Sequence, residues 1–207
     1  MIKKIAIAVV VLMLGCCLQA QAAVIVDTGD AGSAPSGNTW SLYHYQWLAA
    51  EFSLGQATTI TDVYGWIANY TGGTASLAIY ADGGETPVSA PALFSANFNV
   101  VASELAGGAD WHGASGLSWD LDAGTYWASF ESRPNDTYNG GMPSPSANPL
   151  VNEAYWYGSN WYAYDDLNFG VKILGNAGSG PVVPEPASMI LMGIGLAGAA
   201  MRRRKRA

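Results

Sequence analysis

The chain is poor in cysteine and, over most of its length, poor in positive charge. Its two cysteines are Cys16 and Cys17, side by side near the N-terminus. Beyond residue 22 there is none, which excludes a disulfide scaffold, a thiolate zinc site and a cysteine nucleophile there. Between residues 23 and 183 the cations are Arg133 and Lys172, against fifteen Asp and Glu, a net of −13. The whole-chain value of −7 conceals this, because the other Lys and Arg sit at the two ends. So acidic a stretch repels nucleic acid and anionic lipid. It fits solubility after export, divalent cations or neutral polymers. Histidine is scarce, and neither His44 nor His112 has a second ligand at metal spacing. Intact Gly-x-Ser-x-Gly, Gly-x-Gly-x-x-Gly and Walker patterns are missing in strand–turn–helix context, and so are long apolar runs at helical spacing between the two ends. Asp120 and Asp122 flank Leu121 and share a strand face, as paired hydrolytic carboxylates would. Asp122 also opens the turn Asp122-Ala123-Gly124, which accounts for it without chemistry. No catalytic residue is assigned, and the chain is read as non-enzymatic.

The ends are rich where the middle is poor. Met1-Ile2-Lys3-Lys4 precedes an apolar run from Ile5 to Leu18 and the small-residue step Gln19-Ala20-Gln21-Ala22-Ala23. A cationic n-region, an apolar h-region and Ala-x-Ala make a secretory signal peptide over residues 1–22, cut by signal peptidase between Ala22 and Ala23 after export through the Sec machinery. Lipidation at Cys16 fits less well, because Leu14 is bulky where a small residue is expected. The other end reads Pro184-Glu185-Pro186, then fifteen mostly apolar residues (187–201), then Arg202, Arg203, Arg204, Lys205 and Arg206. As a helix the apolar run would be about 22 Å long, against about 30 Å of hydrocarbon, so it is marginal as a permanent span. The cations act as a stop on the cytoplasmic side. The two prolines keep the segment before the membrane extended and open to an enzyme that needs a linear peptide. Residues 176–183 form a flexible linker. The expectation is a transient inner-membrane anchor that presents a peptide for cleavage.

This tail, VPEPASMILMGIGLAGAAMRRRKRA, resembles the PEP-CTERM protein-sorting domain. The resemblance implies recognition of Pro184, Glu185 and Pro186 by an exosortase, a membrane protease of Gram-negative bacteria that make exopolysaccharide. It also implies a final place at the cell surface or in the extracellular matrix of a biofilm. Residues 184–206 would be the sorting signal.

The stretch between the ends holds all eight Trp and all eleven Tyr. Short aromatic and β-branched segments are separated by Gly, Pro, Asn and Asp. Strands are expected over 24–27, 47–53, 59–67, 75–81, 92–100, 117–121, 125–131, 161–164 and 168–174. Leu77 and Ile79 share one face, and Ser76, Ala78 and Tyr80 the other. The expected fold is all-β: a single antiparallel β-sandwich of jelly-roll type over residues 23–175, flanked by the signal peptide and a short transmembrane helix. The segment 132–153 reads as an Ω-like excursion over one end. WLAAEFSLGQATTITDVYGWI, LAIYADGG and AGTYWASFE look like the variable sandwich domains that precede such tails, a resemblance that implies no particular activity.

YWYGSNWYAY, residues 155–164, reads as a hairpin with six aromatics, Tyr155 and Tyr157 on one face and Trp156 on the other. Flat rings stack on pyranose C–H faces, so Tyr155, Trp156, Tyr157 and Trp161 are candidates for binding an extracellular polysaccharide. The alternative is that these rings fill the core and cover an edge strand. Asp165-Asp166, near Asn168, offers oxygen ligands for Ca²⁺ without the spacing of an EF-hand loop. Two classes therefore remain: a structural or adhesive surface protein, and a carbohydrate-binding module with or without Ca²⁺.

Overall fold

The computed structural model describes residues 22–30, 39–69, 71–102, 108–144, 150, 152–164 and 167–178. Residues 1–21 of the expected signal peptide, Asp165, Asp166, and the whole tail with Pro184, Glu185, Pro186, the apolar residues 187–201 and the Arg202–Arg206 cations lie outside them. The described residues form antiparallel β-sheet throughout and contain no helix.

One four-stranded sheet has the order β1-β12-β4-β7, from Ala23–Asp27, Val171–Ala177, Thr58–Ala68 and Ala109–Leu121. A six-stranded sheet has the order β11-β10-β3-β8-β5-β6, from Asn160–Ala163, Glu153–Tyr157, Gln46–Leu54, Gly124–Glu131, Gly73–Ala81 and Phe94–Val100. A small ribbon joins β2 (Thr39–Leu42) to β9 (Gly140–Pro143). Along the chain the long strands pass back and forth between the two large sheets.

Alternation explains the packing. Leu48, Ala50, Phe52 and Leu54 of β3 share a core with Leu77 and Ile79 of β5, Phe130 of β8, Ile60 and Val63 of β4, and Val171 and Ile173 of β12. Both large sheets thus bury their facing sides against each other. A second apolar cluster lies on the opposite side of the six-stranded sheet, around Tyr80, Trp127 and Trp161. Strands β5 and β8 are therefore covered on both faces over most of their length.

Three sequence expectations change. Strand β7 begins at Ala109, well before residue 117, because Trp111 to Ala114 pair with Trp66 to Val63. The 132–153 excursion contains β9 and the buried Tyr138, whose hydroxyl donates to the Ala68 carbonyl at 2.6 Å and accepts from the Gly141 N–H at 3.0 Å. Strand β12 continues to Ala177, and the Gly178 N–H donates to the Ala57 carbonyl at 2.7 Å. The linker drawn from residue 176 thus starts inside the sheet.

Candidate functional site

The aromatic segment forms the hairpin read from its sequence. Strands β10 and β11 pair Tyr155 with Tyr162 and Tyr157 with Asn160, leaving Gly158 and Ser159 as a two-residue turn. Gly158 takes φ of 68°, as a tight hairpin turn requires. The hairpin extends the six-stranded sheet beyond β3, with Trp156 opposite Trp47.

Alternation splits the four proposed sugar-binding residues between two faces. Trp156 and Trp161 share one. Trp156 stacks on Trp47 with centroids 5.2 Å apart, and Trp161 meets Trp47, Tyr80 and Trp156 edge-on. The Trp47 indole N–H donates to the Ser132 carbonyl at 3.1 Å. Trp161 keeps only 8 % of its surface exposed. This face is a packed ring cluster with little flat surface left over. Tyr155 and Tyr157 point to the other side. There Tyr155 stacks on Tyr162 at 5.4 Å, and Tyr164 meets both Tyr155 and Trp40 edge-on. Tyr157, Tyr162 and Tyr164 remain 53 %, 45 % and 43 % exposed, and neighbouring Tyr45 60 %. Tyr162 and Tyr164 are not among the four candidates read from the sequence. With a two-residue turn, the period of two aligns Tyr162 and Tyr164 with Tyr155 and Tyr157, so that signal was present in the sequence.

Beside the tryptophan cluster lies the most deeply buried charge among the described residues. Glu131 is fully buried and takes a hydrogen bond from the Tyr80 hydroxyl at 2.9 Å and an ion pair from the Arg133 Nε at 2.6 Å. Burial pushes its carboxyl above the usual range, and Arg133 offsets this only in part. Burial and the Glu131 charge raise the Tyr80 phenol as well. With both carboxylate oxygens engaged inside the protein, this group is structural.

Asp120 and Asp122 both line a cleft of about 610 Å³ with Thr59 and Gly178. Asp120 accepts from the Thr59 hydroxyl at 2.6 Å. Both carboxylates face solvent, whereas hydrolysis of glycosides needs two carboxyls in unlike environments. His44 is exposed in the turn before β3, edge-on to Tyr45 at 4.7 Å. His112 is half-buried in β7, and burial lowers its pKa. Among the described residues no group of three or more His, Cys, Asp or Glu is arranged to hold a metal ion.

The fold also shows where the two ends of the body lie. Ala22 is exposed, Ala23 begins β1, and Ala23 pairs with Gly175 in β12. The two ends of the sheet domain therefore leave side by side. Beyond them, the family model of the PEP-CTERM protein-sorting motif matches residues 182–205. The tail is a PEP-CTERM sorting signal. A PEP-CTERM signal supports an exported bacterial protein that is processed by an exosortase and sorted to the cell surface. No match to the chain was found among curated proteins.

Proposed function

We propose that this protein is a non-enzymatic component of the cell surface or extracellular matrix of a Gram-negative bacterium, associated with exopolysaccharide in a biofilm. The observation that carries this reading is the PEP-CTERM signal on an all-β body whose last strand runs to within five residues of it. Signal peptidase removes residues 1–22 after Sec export, leaving Ala23 first. Pro184-Glu185-Pro186 is then held extended outside the inner membrane, while residues 187–201 sit in the bilayer and Arg202, Arg203, Arg204, Lys205 and Arg206 stop transfer. Cleavage by the exosortase makes this anchor transient. The body is a jelly-roll β-sandwich. Without the short strands β2 and β9 and the β10–β11 hairpin, its two sheets run β1-β12-β4-β7 and β3-β8-β5-β6, two Greek keys wrapped around one core.

Mass spectrometry of the exported protein tests the sorting reading. The expected ends are Ala23 and a C-terminus between Pro184 and Ala187 in wild-type cells, and a retained tail in cells without exosortase. An exported form that still carries Arg206 in wild-type cells would overturn it.

A second reading, a carbohydrate-binding module, is supported by the exposed tyrosines of the hairpin. Ca²⁺ held by Asp165 and Asp166 belongs to that second reading.

A further inference from the structure

The geometry points to the tyrosine face of the β10–β11 hairpin, and not its tryptophan face, as the contact surface for an uncharged polysaccharide chain. This inference rests on the carbohydrate-binding reading and decides which residues carry it.

Three observations support it. First, the tyrosine face is open and the tryptophan face is largely spent. Trp156 and Trp161 are engaged with Trp47 and Tyr80, whereas Tyr157, Tyr162 and Tyr164 each leave close to half of their surface to solvent. These three lie on the side of a two-stranded ribbon that also carries the Tyr155–Tyr162 stack. A row of rings, each with an apolar face and a hydroxyl tip, matches a chain whose units alternate C–H faces with hydroxyl edges. The turn residue Ser159 and the first residue of β11, Asn160, add polar side chains beside it, both exposed.

Second, charge selects the partner. Residues 23–183 carry a net of −13, so uronate-rich or sulfated chains and anionic lipid are repelled. No exposed large aliphatic residue belongs to the hairpin, as a lipid surface would want; the exposed ones among the described residues are Val24, Leu93 and Val101, all outside it. An uncharged polysaccharide meets neither obstacle.

Third, the tip of the hairpin lies far from the point where the chain leaves for the tail. The Gly158 N–H at the hairpin tip donates to the Tyr45 carbonyl at 3.2 Å, just before β3 begins. The nine residues of β3 then span about 30 Å to Leu54. The turn after Leu54 reaches Ala57, which holds Gly178 where the chain leaves for the sorting signal. The tip and the exit to the tail are thus at opposite ends of the sheet. A protein held through its C-terminal side carries the hairpin tip outward.

The test is affinity electrophoresis of the exported protein in gels containing dextran, galactomannan, xyloglucan or, as an anionic control, alginate. Its companions are Tyr157→Ser/Tyr162→Ser, Tyr164→Ser and Trp156→Phe, each checked by near-ultraviolet circular dichroism and thermal unfolding. Retardation by at least one neutral polymer is expected, with affinity falling about tenfold per tyrosine removed, little change in Trp156→Phe, and no retardation by alginate. Binding that survives the tyrosine changes but disappears in Trp156→Phe would sink the tyrosine assignment while leaving the carbohydrate reading intact. Silence with every polymer would remove both. Retardation by alginate alone would overturn the charge argument. Self-association on analytical ultracentrifugation that the tyrosine changes abolish would assign this face to a second copy of the chain instead.

Discussion

At the scale of single residues, the most consequential side chain outside the hairpin is Glu131. It is fully buried, with Arg133 and Tyr80 as partners, and burial holds its carboxyl above the usual range. A carboxyl raised in the fold favours folding fully below its ordinary value near 4.5, and that contribution is lost as pH rises through the raised value. Glu131→Gln removes this dependence. Melting temperatures measured from about pH 4 to about pH 8 should show the variant gaining on the wild type as pH rises. A constant difference across that range would mean that Glu131 ionises in the fold as readily as in the unfolded chain. None of this was legible in the sequence. Glu131 ends a strand whose alternation assigns it to the side away from Phe130, which for a simple sandwich is the solvent side. Only the second aromatic cluster on that side buries it.

At the scale of elements, strands with clear alternation were readable within a few residues: β3, β4, β5 and β8 all fall where the pattern puts them. The misses share a cause. Strand β9, Gly-Gly-Met-Pro, has no pattern of its own and is a strand only because it pairs with β2 and buries Met142. The part of β7 before residue 117 contains Gly113 and Gly116, which read as loop. Yet Gly113 is needed where it stands, because a Cβ there would run into the Val63 carbonyl oxygen of β4. Gly65 is also crowded, but by ends of side chains: a Cβ would lie 2.6 Å from the Met142 Cε and 2.8 Å from the Phe130 Cε1. Side chains yield where backbone does not. Gly65→Ala should therefore cost about 1–3 kcal/mol in urea unfolding, and Gly113→Ala more. The reverse order would contradict the β4–β7 register.

At the scale of the whole molecule, charge and tail dominate. With Arg133 and Lys172 as the cations between residues 23 and 183, and Lys172 bound to Asp27 at 3.3 Å, the folded body carries unbalanced negative charge at neutral pH. Compaction brings like charges together, so screening should stabilise it. The exported protein is expected to melt at higher temperature as NaCl rises from about 10 mM to about 300 mM, where the Debye length falls well below the size of the domain. A flat or falling melting temperature would show that the carboxylates are spaced too widely to repel.

The sequence by itself determined the sorting signal, the charge and the alternation of most strands, because each rests on residues adjacent or nearly adjacent in the chain. It also set which aromatics of the hairpin share a face, since that follows from a period of two. Which face stays open was decided by tertiary structure alone. The tryptophans find Trp47 and Tyr80, brought in on strands far away in the chain, and close over them. The tyrosines meet one another and Trp40, and keep their outer surfaces in water. Burial is a property of neighbours, and neighbours across a β-sheet come from register and strand order, which no local stretch of sequence encodes.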